Sequence, residues 1–336
     1  MQTETFALRR FSKFLCLLTL GLIFLGALVK STDSGLSVPD WPTTYGKFIY
    51  AYPLNKMYGG IKFEQTHRLL ASLVGMLTLL LTIWLLRVRD MPLWVRRWGI
   101  FAFVAVVLQG VLGGLGVIYF LPVWLTSLHG VLAQTFLLIL IFIAYALSAE
   151  RHQRGKTQEE GHDGTFLKPA LFLMAMIYIQ LIIGNVVRHS GSGLAVPDFP
   201  TMGWKLIPTF DAAWLHRINA WRFEHNMDPV TMAQVCIHLL HRFWAFLIVI
   251  SLLWTNKIAY DRCLKNAVIM KTLYWLNIAI ILQVVLGAST VLSHEEVYTT
   301  TLHVTTGAIV LTLSFIMVLR SAPIKWKQFK SLVFAK

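Results

Sequence analysis

Long apolar stretches dominate the chain and alternate with shorter polar segments. A helix that crosses about 30 Å of hydrocarbon needs roughly 20 mostly apolar residues, because each residue adds about 1.5 Å. Eight stretches reach this length, so the pattern predicts an all-α membrane protein with eight transmembrane helices. The predicted spans are 11–30, 65–86, 98–118, 126–148, 169–187, 235–255, 271–292 and 301–319.

The composition agrees with this pattern and excludes an ordinary cytosolic enzyme. Hydrophobic residues make up 56% of the chain and charged residues only 14%, whereas soluble proteins average about 45–50% and 25%. The three cysteines, Cys16, Cys236 and Cys263, have neither a CxxC nor a zinc-like spacing. A disulfide framework is therefore not expected.

The net charge of +14 indicates how the chain is oriented in the membrane. If the N-terminus is inside, 20 of the 30 Lys and Arg residues fall in inner segments, and the inner face carries +13 against +1 outside. Membrane proteins retain positive charge on the cytoplasmic side. We therefore expect both termini in the cytoplasm, two long outer loops at 31–64 and 188–234, the lipid bilayer as the surrounding partner, and no nucleic-acid partner.

An internal repeat divides the chain. The segment Gly-Leu-Ser-Val-Pro-Asp-Trp-Pro-Thr at 35–43 recurs with two changes at 193–201, an offset of 158. Later matches share an offset of 174, including His67-Arg68 with His241-Arg242. The second offset is larger than the first by 16, which implies 16 extra residues in the second outer loop.

This repeat predicts two tandem four-helix bundles with the same orientation, related by a pseudo-twofold axis along the membrane normal. The predicted divisions are an N-terminal half at 1–148, a cytoplasmic linker at 149–168, a C-terminal half at 169–320 and a cytoplasmic tail at 321–336. The repeated Pro-rich loop is interpreted as an outer cap seated on the bundle, since Pro fixes φ and Asp can cap a turn. The alternative is a loop that closes over a ligand pocket.

Four histidines occupy matched positions near the outer ends of the even-numbered spans, and ionisable residues inside a membrane are usually functional. The spacing within each half is 62 residues. Two neutral imidazoles without a Cys or carboxylate cluster suit the axial positions of haem iron better than structural zinc. We therefore expect each half to hold a haem between two histidines: His67 and His129 in the first half, His241 and His303 in the second.

Three charged residues accompany these histidines. Arg68 and Arg242 either meet haem propionates or extend to the membrane interface. Glu64 lies three residues before His67 on the same helical face, whereas the second half has His238 at that position. The carboxylate can move protons or stabilise positive charge, or it can cap the helix start. Its presence in one half predicts one reacting site and one electron-transfer site.

Glycines on the same helices also allow two interpretations. They can let a flat macrocycle approach the backbone or simply allow close helix packing. The glycines concerned are Gly75, Gly113, Gly114, Gly287 and Gly307.

The Glu64-x-x-His67-Arg68 start of the second span, the matched histidines and the duplicated loops together resemble the haem A synthase family over essentially the whole chain. The resemblance implies a membrane enzyme that oxidises the C8 methyl of haem O to the formyl of haem A by successive hydroxylations. It implies that His241 and His303 ligate a haem b cofactor and that His67 and His129 receive haem O. It further implies that Glu64 supports catalysis and that haem b passes electrons from an unidentified donor.

Two features place the chain within that family. Many members carry a cysteine pair in an outer loop, and this chain fits the subgroup without it. The short N-terminus has no Arg/Ser-rich leader, which favours a bacterial cytoplasmic membrane. A haem O synthase is a candidate partner, because it makes the substrate.

Two other functions fit parts of the pattern. A bis-histidine dihaem b-type cytochrome carrying electrons from quinol has the same ligands, but it has no need of a carboxylate in one half only. A transporter with parallel repeats predicts broken helices and polar residues near the midplane, whereas the ionisable residues here cluster at the outer ends.

Overall fold

The computed structural model describes residues 2–89, 91–151 and 166–322, with side chains from residue 6 onward. Most of the predicted linker at 149–168 and of the tail at 321–336 therefore lies outside the described residues. All eight predicted spans are confirmed as helices long and apolar enough to cross a membrane. They are α1 (Gln2–Ser31), α2 (Gly59–Arg87), α3 (Leu93–Ile118), α4 (Val123–Ala146), α5 (Leu167–His189), α6 (Met232–Cys263), α7 (Ala267–Leu292) and α8 (Val297–Ser321).

Several helices extend beyond the apolar stretch that predicted them. Helix α2 begins at Gly59 rather than 65, and α6 ends at Cys263 rather than 255. Hydropathy reports the thickness of the hydrocarbon layer, whereas a helix can continue into the headgroup region with its backbone hydrogen bonds intact. The histidines consequently lie farther from the helix starts than the sequence pattern indicated.

Four helices form the centre of the molecule. Helices α1, α4, α5 and α8 contact one another in a closed ring, while α2 and α3 flank it on one side and α6 and α7 on the other. Helices α1–α4 meet helices α5–α8 at apolar side chains of α4 and α8, among them Leu137, Ile141 and Ala308. Among the eight spans, α8 and α4 are the most buried, with 50% and 44% of their apolar windows inside the protein.

The long loop between α5 and α6 contains a helix that the hydropathy pattern missed, at Ala212–Glu224. Asp211 caps it by accepting a hydrogen bond of 2.7 Å from the backbone N–H of Trp214. The helix packs Trp214 and Ile218 against Val196 and Leu239 in a small hydrophobic core of its own. It was missed because it is short and is stabilised by these distant contacts rather than by a strong apolar stripe of its own.

Candidate functional site

The structure places all four predicted histidines at the loop-bearing end of the helix bundle. All four side chains are half-buried. They lie six to nine residues after the starts of their helices, which are His67 in α2, His129 in α4, His241 in α6 and His303 in α8.

Each imidazole ring lies against a glycine on the preceding helix. A Cβ at these glycines would approach a ring atom more closely than the 3.5–4.0 Å of ordinary carbon contacts. The pairs are Gly26 with Nε2 of His67 at 3.1 Å, Gly113 with Cε1 of His129 at 3.1 Å, Gly184 with Cε1 of His241 at 3.1 Å, and Gly287 with Cε1 of His303 at 2.9 Å. The bare backbone therefore sets the position of every ring.

Only part of this glycine set was predictable from the sequence. Gly113 and Gly287 were among the candidates, while Gly26 and Gly184 were missed although the offset of 158 relates them. Gly114 has another contact, since a Cβ there would overlap the ring of Trp41, and a Cβ at Gly75 would meet nothing within 4 Å. Tertiary contacts thus distinguish glycines that the sequence presents as equivalent.

The ring nitrogens fit an iron ligand. Nδ1 of His129, His241 and His303 is buried without a hydrogen-bond partner, and such a group normally costs about 1–3 kcal/mol. Within the described ranges, no group of three or more His, Cys, Asp or Glu residues converges in a way that could hold a metal ion. Two imidazoles per half match the axial positions of a haem, whose porphyrin supplies the remaining ligands. The residues present therefore fit a haem in each half.

Glu64 lies on α2 as predicted and is only 3% exposed. Its Oε2 accepts a hydrogen bond of 2.7 Å from the backbone N–H of Val38, and its Oε1 pairs with Nη2 of Arg68 at 2.7 Å. At the same register of the second half, Nδ1 of His238 lies 2.7 Å from the carbonyl of Ser192. Both residues therefore contact the long loop of their own half, and the catalytic role of Glu64 stays a prediction.

The two arginines donate hydrogen bonds to the repeated Pro-rich loops, a role that the sequence did not indicate. Arg68 donates hydrogen bonds to the carbonyls of Val38, Asp40 and Thr43. Its side chain is only 10% exposed, so it does not extend to solvent.

Arg242 makes the matching contacts in the second half. It donates to the carbonyls of Val196 and Thr201 at 3.0 and 3.1 Å. Both guanidinium groups therefore fasten the repeated Pro-rich loop to α2 or α6, and propionate binding stays a prediction.

The first Pro-rich loop is seated on the bundle, as the cap interpretation predicted. Asp40 accepts hydrogen bonds from the Thr43 hydroxyl and from the backbone N–H groups of Tyr45 and Gly46. Partial burial opposes ionisation, but these hydrogen bonds outweigh it and hold the pKa of Asp40 below its usual value. The Trp41 ring lies on Gly114, next to the glycine that contacts His129. The cap is thus adjacent to the histidine site.

The second loop repeats this arrangement. Asp198 accepts hydrogen bonds from the Thr201 hydroxyl and from the backbone N–H groups of Gly203 and Trp204. Asp40 and Asp198 therefore stabilise their own loops by hydrogen bonds within the loop. Arg68 and Arg242 then bind each loop to helix α2 or α6.

The chain is similar to known proteins along most of its length. A model of the protein family described as "Cytochrome oxidase assembly protein" (COX15-CtaA) matches residues 9–58 and 60–315. Among curated relatives named heme A synthase, that of Halalkalibacterium halodurans is 25% identical over 88% of this chain and 91% of its own length. That of Bradyrhizobium sp. is 26% identical over 95% and 92%, and that of Sphingopyxis alaskensis is 25% identical over 92% and 90%. The chain belongs to the cytochrome oxidase assembly protein family COX15-CtaA.

Proposed function

We propose that this protein is a haem A synthase, a multi-pass membrane oxidoreductase that converts the C8 methyl of haem O to a formyl group by successive hydroxylations. The observation that carries the proposal is the two matched imidazole pairs, whose rings all lie against bare glycines and of which three, His129, His241 and His303, have a buried Nδ1 without a hydrogen-bond partner. Relatives that carry this name cover nearly the full length of the chain. A dihaem cytochrome has the same ligands, but it does not account for the single carboxylate at Glu64.

We assign a different haem to each of the two halves. In this proposal His241 and His303 hold haem b as a resident cofactor, and His67 and His129 receive the substrate haem O. When bound, haem b supplies one-electron transfer to the reacting half. The carboxylate of Glu64 supports this assignment, because it occurs only beside the first pair.

Glu64 and Arg68 define the chemistry that the chain itself contributes to the first half. Their ion pair of 2.7 Å keeps a buried negative charge one helical turn from His67. The carboxylate is thereby placed to stabilise positive charge or accept a proton during oxidation. Because the same pair fastens the loop at Val38, it also helps to exclude water from the site.

The arginines differ in their capacity to bind propionates. A guanidinium has five N–H groups. Among the described residues, Arg68 uses four of them in hydrogen bonds with the loop and Glu64. Arg242 uses two, so it has more donors for a propionate, which agrees with a resident haem b in the second half.

The division of the chain into two halves and its orientation in the membrane belong to the same proposal. Residues 1–148 and 169–320 form the halves, and the neighbours within α1–α4 recur within α5–α8, as a pseudo-twofold axis requires. The distribution of Lys and Arg supports cytoplasmic termini in a bacterial cytoplasmic membrane. The implied partners are a haem O synthase that supplies the substrate and a reductant that supplies electrons.

The decisive experiment is pigment extraction after co-expression of the full chain with a haem O synthase, in a host that makes no haem A of its own. We expect haem A to appear, and we expect His67→Ala to abolish it while the spectrum of bound haem b remains. His216→Ala is the matched control, because His216 is exposed on the loop helix. If the protein shows two low-spin haems but the extract contains haem O alone, the chain is an electron carrier and the proposal is wrong.

A further inference from the structure

One turn of α5, in the second half, contacts the first half next to its histidines. At its start, Gly184 lies against the ring of His241 in its own half. The next residue is Asn185, and a Cβ on Gly130 of α4 would overlap its Oδ1 and lie 2.9 Å from its Cγ. Gly130 directly follows His129 in the chain. The amide of Asn185 thus packs against the backbone that carries a histidine of the other half.

The side chain of Asn185 is held in this place by its own helix. Its Nδ2 donates a hydrogen bond of 2.8 Å to the carbonyl of Leu181, which leaves Oδ1 against Gly130. An amide oxygen beside a glycine Cα is typical of the Cα–H···O contacts that occur at helix–helix interfaces. A side chain at position 130 would therefore require either a movement of α4 or the loss of this hydrogen bond.

Arg188 makes a second connection, three residues later on the same helical face. Its Nη2 donates to the carbonyl of Ala27 at 2.6 Å and to the hydroxyl of Ser31 at 2.9 Å, both on α1. Ala27 directly follows Gly26, whose bare backbone lies against the ring of His67. Helix α5 therefore contacts the backbone beside one first-half histidine and beside the glycine that supports the other.

The first half does not return these contacts. At the offset of 158, the counterparts of Asn185 and Arg188 are Ala27 and Lys30. Alanine has no polar side-chain atom, and Nζ of Lys30 pairs with Asp33 of its own half at 3.2 Å. Within the described ranges, neither counterpart side chain is hydrogen-bonded to the second half. The two halves are therefore joined here by side chains of the second half alone.

We propose that Asn185 and Arg188 are positioning residues of the second half that set the geometry of the histidine pair in the first half. They connect His129 and the support of His67 to the helix that supports His241. The two haems are thereby held at a fixed separation, on which electron transfer between the halves depends. The inference rests on the proposed function, because it takes the first pair as the one that receives haem O.

The test observes the two haems of the purified full-length protein separately, by their low-spin EPR signals and by titration with haem O in the absence of a reductant. Gly130→Ala places a Cβ on the amide of Asn185, so the displacement falls directly beside His129. A misplacement of about 1 Å can cost about 100-fold, and we expect the first half to bind haem O about 10- to 100-fold more weakly, with a shifted EPR signal. The EPR signal of the second-half haem should not change.

A double variant distinguishes this contact from a general loss of packing. Asn185→Ala removes the three atoms nearest to the new Cβ. In Gly130→Ala/Asn185→Ala the affinity for haem O should therefore return to within about twofold of that of Asn185→Ala alone, whereas independent effects would add. A double variant that binds haem O as weakly as Gly130→Ala overturns the inference.

The connection through Arg188 has its own variant and control. Arg188→Leu removes both hydrogen bonds to α1 and should shift the EPR signal of the first-half haem, although the substitution lies in the second half. Tyr178→Phe is the matched control, because its hydroxyl lies 2.6 Å from that of Thr135 and also joins α5 to α4, but about two helical turns before Asn185. It should leave both EPR signals unchanged. If Arg188→Leu does not fold, Ser31→Ala removes one of its two acceptors and takes its place.

The outcomes also distinguish the inference from the proposed function. An unchanged affinity in Gly130→Ala together with an unchanged first-half EPR signal in Arg188→Leu overturns the inference alone. An equal shift in Tyr178→Phe also overturns it, because any loosening of α5 against α4 would then suffice. A wild-type protein whose first half gives no bis-histidine haem signal overturns the proposed function and the inference together.

Discussion

The contact between Gly287 and His303 provides the sharpest test of the site. In Gly287→Ala the new Cβ would lie 2.9 Å from Cε1 and 3.4 Å from Nδ1 of His303. Ordinary carbon contacts are 3.5–4.0 Å, so the ring has to move by about 0.6–1 Å. A functional site tolerates about 0.5 Å, and a misplacement of about 1 Å can cost 100-fold. We therefore expect haem affinity in the second half to fall about 10- to 100-fold.

The same substitution should not destabilise the helix itself. Ala is favoured over Gly in a helix interior by up to about 1 kcal/mol, so the effects on stability and on haem binding differ in direction. Gly110→Ala on α3 is the control, because its Cβ would meet nothing within 4 Å. The assay combines haem titration, followed by absorbance, with thermal unfolding in detergent. Wild-type haem affinity in Gly287→Ala would refute the claim that the bare backbone positions the ring.

Three further predictions concern the loop-bearing end of the molecule. Glu64→Gln should lower haem A formation at least about tenfold while leaving the haem b spectrum unchanged, because it removes the charge beside His67 and the ion pair with Arg68; normal haem A yield in pigment extracts would contradict the assignment. Arg68→Lys should loosen the first Pro-rich loop, since an ammonium lacks the planar fork that reaches three carbonyls, and hydrogen exchange at residues 38–46 should rise with no change at 196–204. Asp40→Asn should remove a pH-dependent contribution to stability, because the folded-state pKa of Asp40 is depressed. The contribution of Asp40 to stability is complete above its unfolded-state pKa and disappears as the pH falls through its folded-state pKa. Parallel melting curves of Asp40→Asn and the wild type across pH 3 to 7 would contradict that reasoning.

The candidate site was predictable in part because the chain contains two copies of it. One histidine in an apolar helix is ambiguous, but the equal spacing of His67 with His129 and of His241 with His303 marks them as a set.

By itself, the sequence determined the eight helices, the repeat and the four histidines. These are local properties, since hydropathy depends on about 20 consecutive residues and a repeat depends on register alone. Only the tertiary structure decided what the matched residues contact. It placed Gly26 and Gly184 under histidine rings, directed Arg68 and Arg242 to loop carbonyls, and formed the loop helix at Ala212–Glu224. These contacts join segments far apart in the chain, and they form only when the bundle brings distant backbones within hydrogen-bonding or van der Waals distance.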